Sequence, residues 1–419
     1  MTAIPTEQRI DSTLDLMSEG YLYIGNRCQA HQSPIFQARI LFENTLCLRG
    51  AEAAKLFYNT EYCKREGAAP VRLQKTLFGV GGVQGLDGPA HRHRKAMFMS
   101  LMSPEGIDHL ARLVNDGWQH AIRVWEGKEE VVLHEECQFI LCRAVCQWAG
   151  VPLPEEDVEQ RAHQLAAMIE GAGAVGPRHW QARHSRRKAE HWISHLVEKI
   201  RSESLVNDRD CDDQTALTRF SLHRDENGDL LPVHAVAVEV LNLLRPTLAV
   251  ARYMVFIAHA LHMYAPTRPN PDDDAAVRRF VQEVRRFYPF FPATVAILCN
   301  DTQWQGYQLP AGIRLMLDLY GTNHDPAAWR NPGVFDPERF RDQALDGWHL
   351  IPQGAGEHSA THRCPGEWIT LRLMEDTVRM LLNAMSWQVP EQDLSIDLSE
   401  MPALPKSGMI IHKVRAIVD

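Results

Sequence analysis

Residues 351–367 read Ile351-Pro352-Gln353-Gly354-Ala355-Gly356-Glu357-His358-Ser359-Ala360-Thr361-His362-Arg363-Cys364-Pro365-Gly366-Glu367. This glycine-bearing loop delivers one cysteine and passes into an apolar-periodic segment through Trp368, Ile369, Leu371, Leu373, Met374 and Val378. A cysteine there stands where a helix begins, and the free N–H groups and positive dipole end favour a thiolate, which can bind metal. Pro365 suits a first helical turn, where its missing N–H is not needed, and Gly366 lets the backbone approach something large and flat. On the loop alone, the alternative is a buried cysteine acting as a small apolar residue.

Bulk properties narrow what the loop can serve. The chain has 419 residues, 45% hydrophobic and 23% charged, as expected of a soluble globular protein. No Gly/Ser run or low-complexity tract divides it, so a single domain over residues 1–419 is expected. A net charge of −9 argues against nucleic acid as a partner, because phosphates need a basic face. The nine cysteines, Cys211 among them, are odd in number and contain no C-x-x-C pair, which points to a reducing, cytoplasmic setting. Glu7, Arg9, Asp11, Asp15 and Glu19 predict neither a signal peptide nor a membrane anchor at the start. No later run reads as long and charge-free enough to span a bilayer.

Outward from the loop, apolar spacing predicts a helix near Thr13 to Tyr23 and a small hairpin sheet over Tyr21 to Gly50. Residues 77–88 are glycine-rich, but a dinucleotide loop fails: counting Gly79 and Gly81 as the first two glycines puts Gln84 where the third should stand. His91 and Lys95 lie four apart on a helix starting near Pro89 and share a face. Arg92, His93 and Arg94 read as its solvated side, and no third ligand follows His91 and His93 at helical spacing. Arg183 to Lys188 reads as another solvated basic face. Cys142 and Cys146 read as core; the run Gly171 to Pro177 fits either a channel wall or a plain loop.

The longest helical pattern, Val233 to Tyr264, is apolar all round, hence buried. In its middle stand Arg245 and Pro246. A buried guanidinium costs several kcal/mol, on the order of the effective buried-ion penalty, unless an anion meets it. That anion is either a protein carboxylate or one carried by a substrate. Pro246 removes a backbone hydrogen bond and predicts a kink.

Three motifs in order resemble the haem-thiolate cytochrome P450 superfamily: Glu283-Val284-Arg285-Arg286, Pro337-Glu338-Arg339-Phe340 and the Cys364 loop. Val83-Gln84-Gly85-Leu86-Asp87-Gly88, Leu243-Leu244-Arg245-Pro246 and His362-Arg363-Cys364-Pro365-Gly366-Glu367 extend the resemblance to its fatty-acid peroxygenase branch over nearly the whole chain. The implied fold is the mainly α triangular fold of that superfamily with small β-sheets. The implied cofactor is haem b, with Cys364 as the iron ligand and Arg65, His91, Lys95 and Gln353 around it. Glu283, Arg286 and Arg339 would fix the cysteine loop as a charge network. The sequence departs from the superfamily where an insertion from Glu357 to Thr361 precedes the cysteine, and His362 stands where an arginine is usual.

The branch further implies Gln84 near the iron and Phe78, Phe290 and Phe291 along the substrate chain. Dioxygen-using monooxygenases usually carry an acid-alcohol pair where this chain has Arg245 and Pro246. The expected substitute is the carboxylate of a long-chain fatty acid, held by Arg245, which takes a proton from hydrogen peroxide and returns it as the O–O bond breaks. The implied reaction is hydroxylation, mainly at the α carbon, because Phe291 is bulky where some β-hydroxylating relatives have glycine. β-Hydroxylation and oxidative decarboxylation to terminal alkenes are alternatives, and no redox partner is required. A reductase-dependent monooxygenase and a non-catalytic haem-binding protein are the competing classes.

Overall fold

The computed structural model describes residues 2–207, 215–341 and 346–417, and only the backbone of residues 205–207. Cys211 lies outside the described residues. The protein is mostly helical, with long helices Pro104–Trp125, Leu133–Ala149, Pro177–Asn207, Val233–Ala249, Asp274–Phe287 and Glu367–Arg379. Their starts follow from local chemistry. Ser103 Oγ accepts the Gly106 N–H (3.1 Å) ahead of Pro104, and Asp273 Oδ1 accepts from Ala275 and Ala276.

At the centre lies the apolar pair Val233–Ala249 and Ala251–Met263, with Leu241, Leu244, Tyr253 and Phe256 fully buried. The expected continuous helix divides at Val250. Pro246 has no N–H for the Asn242 carbonyl, and the Val250 N–H closes a tighter turn on Thr247 O (3.1 Å). By length and composition this pair could cross a bilayer, contrary to the sequence expectation, but most of it is buried inside the protein.

Among the described residues three small sheets flank the helices. The largest runs Ile35–Ile40, Glu43–Leu48, Arg314–Asp318, Ala293–Leu298, Cys63–Lys64; only the pairing of Glu43–Leu48 with Arg314–Asp318 is parallel. The hairpin expected from Tyr21 begins only at Ile35, because Tyr23–Ala30 is a helix. Ile24 and Cys28, both buried and four apart, carry helical spacing that the alternation downstream obscured. The hairpin turn uses Leu41 and Phe42 at φ 53° and 61°, positions usually given to Asn-Gly. Asp11 and Thr13 hold it by accepting the Phe42 and Leu41 N–H groups at 2.6 and 2.7 Å.

Candidate active site: a cysteine loop and a buried arginine

The cysteine loop is fixed from below. Glu283, fully buried, accepts from both Arg286 Nε and Nη2 at 2.8 Å and forms an ion pair with Arg339, whose Nε lies 3.0 Å away. Arg286 also donates to the Asn323 carbonyl, and Asn323 Oδ1 accepts the N–H of Ile351, where the loop begins (2.8 Å). A second buried group lies nearer the sulfur. Glu367 accepts Arg285 Nη2 at 2.5 Å and Arg363 Nε at 2.6 Å. Arg285 reaches Gln353 Oε1 as well (3.1 Å). Gln353 in turn accepts the Cys364 N–H on its backbone carbonyl at 3.0 Å, and its side-chain Nε2 lies 3.9 Å from Cys364 Sγ. These carboxylate–guanidinium groups determine where the sulfur stands.

One expectation for the loop is corrected, and the expected thiolate depends on more than the helix end. The helix starts at Glu367, with Gly366 as its N-cap, so Pro365 precedes the first helical turn. Burial, followed by the nearby Glu367, pushes the Cys364 thiol up from its usual value and outweighs the Gly366 N–H, Lys95 and Arg285. The helix end alone does not make a thiolate here; a bound metal would.

Beside the loop sits a cluster of basic groups. Arg65, His91 and Lys95 are all buried, and among the described residues none forms an ion pair with a carboxylate. Arg65 packs over the Phe57 ring (4.0 Å), and its Nη1 has no hydrogen-bond partner. Lys95 Nζ donates to the Arg363 carbonyl at 2.8 Å and to the Thr361 carbonyl. His91 stacks on His362, ring centroids 3.9 Å apart. Burial and its basic neighbours push His91 down to about 3, and burial pushes Lys95 down to about 8. Such a cluster stabilises an incoming dianion. Among the described residues no His/Cys/Asp/Glu group could hold a bare metal ion, so the metal for a lone cysteine must bring its other ligands with it. A haem, with two propionates for the basic cluster, fits these residues.

The apolar central helix forms the other wall. Arg245 is buried; among the described residues its Nε has no hydrogen-bond partner and its one polar contact is Nη2 to the Asn242 side-chain carbonyl oxygen at 3.4 Å. Burial, with Arg186 nearby, pushes the guanidinium down to about 9, while the cysteine favours its charge. Asn242 Nδ2 donates to Gln84 Oε1 (3.1 Å) and to the fully buried Glu239 (3.0 Å), which Arg94 pairs at 2.8 Å. Gln84 and Arg245 are thus joined through Asn242. Thr247 Oγ1 donates to its own helix at Leu243 O (2.9 Å).

The two faces read as solvated hold at Arg92, His93, His184, Arg187 and Lys188, which are exposed, and fail at Arg94 and Arg186. Arg186, only 2% exposed, donates to Leu77 O (2.9 Å) and Phe78 O (3.5 Å) and pairs with Glu190 (2.7 Å). It thereby ties the long helix Pro177–Asn207 to the Phe78 loop. Gly79 makes room: at φ 85°, a Cβ there would lie 2.1 Å from Arg186 Nη2. Phe290 stacks on Tyr253 (4.2 Å), its carbonyl accepts from Tyr21 Oη (3.1 Å), and Phe291 is 36% exposed.

Sequence reasoning missed Glu239, Asn242, Arg285, Glu367, Arg94 and Arg186. One signal was present: Glu239, Asn242 and Arg245 recur every third residue, a polar stripe on an otherwise apolar helix.

Residues 276–413 match the family model described as Cytochrome P450. Among curated relatives, Cytochrome P450 71A8 of Mentha piperita is 30% identical over 152 residues, 34% of this chain and 28% of that protein. Luvungin A synthase CYP716AC1 of Citrus sinensis is 20% identical over 412 residues, 91% of this chain and 85% of that protein. Likeness to solved structures is closer. Cytochrome P450EX alpha (CYP152N1) with myristic acid matches at TM-score 0.94 and 43% identity, covering 100% of each chain. Cytochrome P450SP alpha (CYP152B1) in complex with (R)-ibuprophen matches at 0.93 and 47%, covering 97% of this chain and 99% of that one. A variant of cytochrome P450 OleT in complex with arachidonic acid matches at 0.95 and 34%, covering 100% of each. With whole-chain coverage at these identities, a cysteine that leads into a helix and a basic cluster suited to propionates, the chain belongs to the cytochrome P450 superfamily, in its CYP152 fatty-acid peroxygenase branch.

Proposed function

We propose that this chain uses hydrogen peroxide to hydroxylate long-chain fatty acids, mainly at the α carbon, in a cytoplasmic setting and with no redox partner. The observation that carries the reading is Arg245: a buried cation, in a helix of apolar residues, whose polar contact is a neutral amide. A cation so placed is satisfied by an anion from outside the protein. Two of the similar solved structures hold fatty acids, myristic and arachidonic.

Haem b, with Cys364 as thiolate ligand and Arg65, His91 and Lys95 toward its propionates, supplies peroxide activation and the oxidising power for C–H hydroxylation. The chain's own residues do the rest. Arg245 draws the substrate carboxylate into the site and, by fixing its position, confines reaction to carbons beside it. Gln84 and Asn242 are amides without a titratable proton, Glu239 is engaged by Arg94 and Asn242 behind them, Thr247 is turned to its own helix, and Arg245 only donates, so the substrate carboxylate is the group able to accept and return a proton. Pro246 opens the helix beneath it, and Phe78, Phe290 and Phe291 line the path of the alkyl chain. The bulk of Phe291 favours the α over the β carbon, with decarboxylation to a terminal alkene as a minor outcome.

The test is product analysis by mass spectrometry after incubating holoenzyme with myristate and hydrogen peroxide, or with an electron donor and reductase. The expected result is 2-hydroxymyristate as main product with peroxide alone. Turnover with the reductase system but not with peroxide would make it a conventional monooxygenase; myristate binding without any product would make it a binding protein.

A further inference from the structure

The amide chain beside Arg245 has a direction, and one carboxylate decides it. Glu239 is fully buried, the Val83 N–H stabilises its charge, and each of its oxygens serves a different side-chain donor: Oε1 takes Arg94 Nη1 at 2.8 Å, Oε2 takes Asn242 Nδ2 at 3.0 Å. An ionised carboxylate only accepts, so Asn242 must turn its NH2 toward Glu239 and its carbonyl toward Arg245 Nη2, 3.4 Å away. The same NH2 reaches Gln84 Oε1 at 3.1 Å, so the group Gln84 keeps free is its own NH2, a donor. Gly82 is what lets them meet: a Cβ there would lie 2.9 Å from Asn242 Nδ2 and 3.0 Å from Gln84 Oε1.

We propose that Glu239 is a positioning residue for the substrate carboxylate: through Asn242 it sets both amides so that Arg245 is held without being neutralised and Gln84 offers a donor to the bound acid. This rests on the carboxylate reading above and deepens it. The chain of groups orients and does not conduct protons, because neutral amides neither accept nor release a proton near neutral pH.

The isosteric change Glu239→Gln isolates the effect. Glutamine has one oxygen, and Arg94, which can only donate, claims it. The new NH2 then faces Asn242, which must turn its carbonyl to it. Asn242 now points NH2 at Arg245, and Gln84 turns its carbonyl toward the bound acid. Both reversals oppose a carboxylate. Removing Arg94 as well frees the oxygen of the introduced glutamine for Asn242 and restores the original direction.

The experiment is calorimetric titration of holoenzyme with myristate. For E239Q the dissociation constant should rise about tenfold, the worth of one charge-assisted hydrogen bond. For R94M/E239Q it should return to within about threefold of wild type, a rescue that damage to packing would not give. G82A, which inserts a methyl between Asn242 and Gln84 and changes no charge, should weaken myristate by a similar factor, which keeps a test in hand if E239Q fails to fold. Wild-type affinity in E239Q or G82A, or a double variant no tighter than E239Q, overturns the inference. Wild-type protein that binds tetradecan-1-ol but not myristate overturns the carboxylate reading itself.

Discussion

Arginines on the two sides of the site are treated in opposite ways. Under the cysteine, Arg285 and Arg363 share Glu367, and Arg286 and Arg339 share Glu283. On the far side, Arg245 is just as buried and has an amide. Paired charges hold a shape, since breaking one leaves its partner stranded in a medium that cannot solvate it. A charge left unneutralised destabilises the empty protein and waits for a ligand. On the proposed reading the same residue type is scaffold on one side and receptor on the other, and the difference lies in whether the chain supplies the carboxylate.

The contrast is broken most severely at Arg245. Arg245→Ala should lower kcat/KM for myristate hydroxylation by about 100- to 1,000-fold, the scale of a lost buried charge pair. Haem content should be kept and thermal stability held or raised, since the variant removes a cation that burial already disfavours. Calorimetric melting adds a check: excess myristate raises the wild-type midpoint but not that of the variant. Arg245 conferring stability on the ligand-free protein would erase the distinction between the two sides.

Acid sharpens the other half. Burial raises the Glu367 carboxyl, but Arg285 and Arg363 outweigh it and hold it at about 2, against an ordinary 4.5. A depressed carboxyl stabilises the fold above its unfolded value and loses that contribution as pH falls toward the folded one. About 3 kcal/mol should therefore be present above pH ~5 and vanish between pH ~5 and ~2. Glu367→Gln should show this as a stability deficit in urea titrations at pH 7 that closes near pH 2. Arg245 has the reverse sign: its depressed guanidinium costs stability below about 9, and the cost fades as pH rises through that value.

The smallest expected effect concerns where along the chain reaction occurs. Phe291→Gly should move the α:β product ratio several-fold toward β, a difference of about 1 kcal/mol or less, with total turnover little changed. Unchanged ratios in the product chromatogram would place regiochemical control in Arg245 alone.

Much of this was legible in the chain. The cysteine loop, the Glu-x-x-Arg helix and the guanidinium in an apolar helix all announce themselves through local pattern, because each depends on spacing within one element. What stayed hidden depends on partners far off in sequence. Arg94 looks solvated until Glu239 arrives from 145 residues away, and Arg186 until the Leu77 carbonyl does from 109. The helix Tyr23–Ala30 reads as strand in the sequence because Ile24 and Cys28 sit just ahead of an alternating run. The raised thiol of Cys364 reflects desolvation by distant parts of the fold, which no short window of residues contains, and then the Glu367 carboxylate.

Gly79 carries a practical consequence. The bare α-carbon there is the slot through which Arg186 fastens a long helix to the loop bearing Phe78, and any side chain would meet that guanidinium at bonding distance. A side chain at residue 78 leaves that slot open, whereas one at residue 79 would displace Arg186 and detach the helix Pro177–Asn207 from the loop it holds.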